Sequence, residues 1–281
     1  MRKGLAISRG LDLLALPLVV LALYMAFVYA PEAIFPTGQG GVATRVSPET
    51  AAAGGSVAAS GSDRAASAPG SETGVGGVPA PPVRSMGAVQ RIFYFHVPCA
   101  MVSFLAFAVV LVGSIGFLVR GDRRWDDVAH AAVEVGFFFC TLVLVTGPVW
   151  ARSAWGVWWT WDARLTSTLL LWMIYASYLL LRSYLADDPR VQRYASVLGI
   201  LGALNVPIVY FSVKWFRTMH PTTFITEPGG LDPQMATALR VCLLAVLVLF
   251  LSVLTKRVLL GRLWAERGRL QVLVEAAERE A

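Results

Sequence analysis

Residues 97–119 read VPCAMVSFLAFAVVLVGSIGFLV, an uninterrupted apolar run with no charged side chain. Coiled at 1.5 Å per residue, such a run reaches roughly 34 Å, enough to cross a hydrocarbon layer of about 30 Å. Within that layer a helix satisfies its own backbone hydrogen bonds, which an isolated strand cannot do. Five more runs of this kind lie at 13–30, 128–149, 165–181, 194–213 and 235–255. The expected fold is therefore all-α: a polytopic membrane protein with six transmembrane helices. An even number of crossings returns both termini to the same side, and the charge pattern below makes that side the cytoplasm.

The composition agrees. Of 281 residues, 56% are hydrophobic and only 15% charged, with mean hydropathy +0.62. A soluble domain carries about 25% charged residues. Neither a disordered chain nor a soluble nucleic-acid binder fits, and the net charge of +6 does not change this. Its Lys and Arg flank the apolar runs instead of forming one basic stripe, so membrane lipid, not nucleic acid, is the expected surrounding. Three scattered cysteines (Cys99, Cys140, Cys242) show no CxxC or CxxCH spacing and read as small core residues.

The first run follows Arg2, Lys3 and Arg9 as a signal peptide would. It is longer than the usual 7–15 apolar residues of such peptides, and Pro31 follows the would-be cleavage point. It is read as a retained span. Residues 31–86 differ in kind, with 11 Ala, 10 Gly, 7 Ser, 7 Pro and a single aromatic residue, Phe35. Too little apolar surface is available there to offset ordering entropy, and a flexible insertion is expected.

Orientation follows from the basic residues. With the N-terminus inside, 15 Lys and Arg fall on the inner side, among them Arg120, Arg123, Arg124, Arg182, Arg190, Arg193, Lys256 and Arg257, and 9 fall outside. The organisation is then an N-terminal tail and first helix (1–30) and a periplasmic low-complexity insertion (31–86). A five-helix remainder (87–256) follows with an outer Trp-rich loop at 150–164, and then a charged, amphipathic cytoplasmic tail (257–281).

The outer loop holds Trp155, Trp158, Trp159 and Trp161, four of nine tryptophans within seven residues. An interfacial aromatic belt spreads its tryptophans over many helix ends. Four in one loop can also make a slab for a flat apolar ligand. His96 stands at the outer mouth of the second span and His220 in the outer loop after the fifth, at a similar depth to that slab. Two neutral imidazoles can fill the axial positions of a heme iron from distant points in the chain. The alternative for each is an interfacial histidine bonded to a carbonyl. Arg91, Arg152, Arg164, Lys214 and Arg217 share the outer face and suit heme propionates or interfacial snorkelling equally. Asp162 is placed to cap the fourth span. At the inner end, His130 and Glu134 are spaced for a local pair on one helix face.

The stretch Trp155-Gly156-Val157-Trp158-Trp159-Thr160-Trp161-Asp162-Ala163-Arg164-Leu165-Thr166-Ser167 resembles the "WWD" signature of heme-handling proteins, and more narrowly that of the heme exporter protein C (cytochrome c maturation protein C) family. Tyr94-Phe95-His96-Val97-Pro98 and the segment 205–213 also resemble that family. The resemblance implies six spans and a heme b held non-covalently at the outer face of a bacterial inner membrane. His96 and His220 would be its axial iron ligands, and Trp155, Trp158, Trp159, Trp161, Asp162 and Arg164 its surroundings. It further implies transfer of heme to a periplasmic heme chaperone, and assembly with a small single-span membrane protein and the permease and ATPase subunits of an ABC transporter. Two departures are visible: the insertion is longer than usual, and Trp215-Phe216 replaces a Trp pair near His220.

No GxxxxGK[ST] spacing and no outer Ser–His–Asp set occur, so the chain reads as a binding and transfer component and not as an enzyme. Two alternatives share the histidines: a cytochrome c synthase-type heme lyase component, and a b-type heme electron carrier. The first usually has a large outer domain, and the second usually carries a further inner pair of histidines.

Overall fold

A computed structural model describes residues 2–29, 91–186, 188–216, 218, 220 and 231–280. The insertion at 31–86 and Arg217 lie outside the described residues. Six helices follow one another: α1 (Arg2–Tyr24), extended by a π-helical turn at Met25–Tyr29, α2 (Phe93–Arg120), α3 (Arg123–Trp155), α4 (Ala163–Tyr184), α5 (Val191–Trp215) and α6 (Pro233–Glu280). All six are long and apolar enough to cross a membrane, and they coincide with the runs read from the sequence over the described residues. There is no strand among the described residues.

Local chemistry sets the turns. Gly121 ends α2 at φ 68°, a left-handed conformation that glycine adopts without a Cβ penalty, and its N–H bonds the Phe117 carbonyl at 2.8 Å. The next residue, Asp122, caps α3 by accepting from the Arg124 N–H at 2.9 Å. Two residues thus fold α2 against α3 as a hairpin. α4 lies antiparallel to α5 and to α3, and α6 antiparallel to α1 and to α3, as their cross-contacts show. The starts of α2 and α4 and the ends of α3 and α5 are therefore neighbours.

Lipid tails are as apolar as leucine, so burial alone does not hold such helices together. Close packing and a few interhelical hydrogen bonds do so instead. The rings of Phe107 and Tyr175 stack at 3.9 Å, nearly parallel. Tyr175 Oη donates to the Gly199 carbonyl at 3.2 Å, and a Cβ on Gly202 would fall 2.7 Å from Tyr175 Cζ, so only glycine lets α5 approach α4 this closely. Trp172 Nε1 donates to Thr141 Oγ1 at 2.9 Å, and Asn205 Nδ2 to the Ser167 carbonyl at 2.9 Å. The three cysteines are free and buried, as read from the sequence.

Two boundaries differ from the sequence reading. α3 runs on past Gly147 and Pro148, through Trp150 and Arg152 to Trp155, and ends only at the left-handed Gly156. The last span and the amphipathic helix expected of the tail are one continuous helix, α6, which runs to Glu280, roughly 70 Å in all and about twice what a bilayer needs. Arg257 and Arg262 still pair with Glu134 and Asp127 of α3, residues 263–279 are exposed, and strong helix formers carry the coil through Gly261 and Gly268.

Candidate functional site

A cavity of about 350 Å³ opens among the ends of α2, α3, α4 and α5. His96, Trp150, Trp155, Trp159, Arg164 and His220 line it, with Val97, Phe104, Val143 and Val209 among its apolar surroundings. Histidines 124 positions apart in the chain thus share one chamber, on the side where α2 begins and α5 ends.

Each side chain is placed by a local feature. His96 sits on the first turn of α2, and its Nδ1 lies 2.9 Å from Thr146 Oγ1 near the end of α3. Gly156 closes α3 in the left-handed region at φ 80°, with its N–H on the Arg152 carbonyl at 3.0 Å. Arg152 returns its Nη1 to the Gly156 carbonyl. This cap turns the chain from the last helical tryptophan, Trp155, into the Trp loop. Trp150 and Trp155, five residues apart, meet edge to face at 5.3 Å. The His220 ring stands over both, 6.3 Å from Trp150 and 6.4 Å from Trp155.

Asp162 caps α4, accepting from the Leu165 N–H at 2.9 Å and from Thr160 Oγ1 at 3.3 Å. The cap reading of this residue is thereby met. Two residues later, Arg164 reaches the chamber from the first turn of α4.

The sequence candidates therefore divide. His96, His220, Trp155, Trp159 and Arg164 are brought together. Trp158 and Trp161 are exposed, at 60% and 76%, and neither they nor Asp162 line the cavity. Of the other basic candidates, Arg91 lies over the Phe27 ring and Arg152 is held by Gly156. Trp150, Thr146 and Tyr210 are added by the structure. Trp150 had been read as part of the loop, but helix α3 aims it inward. Thr146 carried no signal beyond its place inside an apolar run.

The chemistry of the lining can be tested against a ligand. Three donors shut from solvent, Trp150 Nε1, Trp159 Nε1 and Arg164 Nη1, have no hydrogen-bond partner among the described residues. Unpaired buried donors cost free energy, on the order of 1–3 kcal/mol each and more when charged. Around an otherwise apolar chamber they suit a flat apolar body with acidic oxygen acceptors at its edge. Two imidazoles add the capacity to hold a metal at that body's centre.

His130 belongs elsewhere. It lies roughly 24 Å along α3 from Thr146 at 1.5 Å per residue, and its Nε2 is 3.6 Å from Glu134 Oε1. The expected local pair is present, and Glu134 also accepts from Arg257 Nη2 of α6 at 2.6 Å.

Comparison with known proteins gives one consistent picture. The family model described as heme exporter protein C matches residues 65–272. The heme exporter protein C of Bradyrhizobium diazoefficiens is 38% identical over 175 residues, which is 62% of this chain and 66% of that protein. The Escherichia coli K12 protein of the same name is 34% identical over 60% of this chain and 69% of its own length. That of Haemophilus influenzae is 32% identical over 71% and 78%. The alignment thus spans about two thirds of the length of the first of these relatives.

Proposed function

Because the chain belongs to the heme exporter protein C family, we propose that it handles heme during cytochrome c biogenesis in a bacterial inner membrane, and that the cavity at the ends of α2–α5 is where it holds that cargo. The observation that carries this reading is that His96 and His220 line one apolar chamber whose buried Trp and Arg donors have no partner among the described residues.

The residues fit the cargo part by part. The porphyrin body is flat and apolar, as the walls are. Removing about 200 Å² of such surface from water contributes roughly 5 kcal/mol at 25 cal/mol per Å². His96 and His220 supply neutral nitrogen ligands from two separate elements, which leaves no axial position for dioxygen. The Arg164 guanidinium and the two indole N–H groups supply donors for propionate oxygens. Trp158 and Trp161, exposed beside the chamber, extend the aromatic surface toward whatever receives the heme. A holding site that must release its cargo works best when its ligands sit at helix ends and in loops, as both histidines do here.

In this reading the site faces the periplasm and the heme passes to a periplasmic heme chaperone. The ABC-transporter subunits and a small single-span protein are the partners that complete the assembly. The role is that of a transport and maturation component.

The test is a heme titration of the detergent-purified full chain. The expected complex is six-coordinate and low-spin. His96→Ala and His220→Ala should each convert or weaken that spectrum, and His130→Ala should leave it intact. An unchanged low-spin spectrum in both outer variants would overturn the assignment.

A further inference from the structure

We infer that Thr146 is the positioning residue that fixes the tautomer of His96, so that Nδ1 carries the proton and Nε2 is left as the metal-binding nitrogen. The inference rests on the heme reading for its purpose but not for its geometry.

Proton accounting carries it. A threonine hydroxyl has one proton and two lone pairs. Thr146 Oγ1 lies 2.7 Å from the Leu142 carbonyl, one turn back on α3, and a carbonyl only accepts. The hydroxyl proton is therefore committed to Leu142. At 2.9 Å from the same oxygen, His96 Nδ1 must be the donor. With Nδ1 protonated, a neutral imidazole keeps its free lone pair on Nε2.

The ring also runs beside the next residue of α3: a methyl built on Gly147 would meet His96 Cε1 at 3.4 Å, an ordinary van der Waals contact. Nδ1 is tied to Thr146, and His96 lines the cavity. The residues of one helix thereby orient a ligand borne by another. Pairs of this kind, in which the second ring nitrogen of a metal-binding histidine donates to an oxygen, set both ring angle and ligand basicity, and losing one typically costs 10–100-fold in metal affinity.

Nitrogen-15 spectra of histidine-labelled, heme-free full chain in lipid nanodiscs read the tautomer directly. The chain has three histidines, and His96→Ala identifies the resonances. In the unaltered chain above neutral pH, His96 should appear protonated at Nδ1. Thr146→Val, equal in shape but without the acceptor, should move the proton to Nε2, the nitrogen that free histidine side chains favour. Thr146→Ser should restore the Nδ1 form. In heme-loaded protein, Thr146→Val should release heme to an apoprotein acceptor about ten-fold faster, with Thr146→Ser within about two-fold of the unaltered chain.

Protonation at Nε2 in the unaltered chain, or an unmoved Nδ1 proton in Thr146→Val, would overturn the inference. So would a tautomer switch with no change in heme release, because positioning for ligation would then be absent. Failure of the heme reading itself would look different: the tautomer would respond to Thr146, while His96→Ala and His220→Ala would leave the low-spin spectrum unaltered.

Discussion

The carboxylate of Asp162 closes the first turn of α4 from the middle of the Trp-rich signature, and Arg164 projects into the cavity from that same turn. Capping residues are worth about 1 kcal/mol. Asp162→Ala should therefore lower the stability of the detergent-purified protein by about that amount in thermal unfolding, and Asp162→Asn, also a good cap, should lose only a few tenths. Equal losses in both variants would show that charge and not the cap is what α4 requires. Gly156 works at the same scale. Its left-handed backbone ends α3 just after Trp155, so the signature's first two residues set where the helix stops and the slab begins.

Between elements, α3 is tied down near its start. Near its start, the Asp126 carboxylate, only 3% exposed, accepts two hydrogen bonds from Arg182 of α4 at 2.6 and 2.9 Å. Arg182 also reaches Tyr178 Oη at 3.3 Å. A buried pair broken on one side leaves an uncompensated charge, at a cost of about 3–5 kcal/mol. Asp126→Ala should therefore destabilise the protein by about that much in chemical unfolding, and Asp126→Leu combined with Arg182→Met should recover most of it. A double variant as unstable as the single one would mean that specific hydrogen bonding, not charge balance, sets the cost. Farther along, Glu134 binds Arg257 of α6, and Asp12 of α1 lies 2.7 Å from Lys256. These ties fix the register of α1, α3, α4 and α6 at the end away from the cavity.

Across the whole molecule, antiparallel packing places the basic residues Arg120, Arg123, Arg182 and Arg257 at one end and the two histidines with the Trp loop at the other. By the rule that basic loops stay in the cytoplasm, the orientation proposed above faces the cavity outward. Because the native cysteines are buried, an introduced one reports this orientation cleanly. In intact spheroplasts, Ser153→Cys should react with a membrane-impermeant maleimide, and Arg279→Cys should react only after lysis. The reverse pattern would invert the assigned topology.

The apolar runs by themselves determined the number and type of elements, because in a bilayer only a helix of about twenty residues satisfies its backbone without water. They also put His96, His220 and the Trp loop at one depth, since crossing parity alone decides that. Convergence into one cavity was implied by the resemblance of the Trp-rich stretch, but the apolar runs by themselves did not decide it. Which face of each helix points inward depends on side-chain fit between elements, such as Tyr175 against Gly202, and no single run encodes such a fit. For that reason Trp159 and Trp161, two positions apart, part company, one lining the chamber and the other exposed. For the same reason Thr146 was invisible in the sequence. A hydroxyl inside an apolar span gains its meaning only when another helix brings an imidazole to hydrogen-bonding distance.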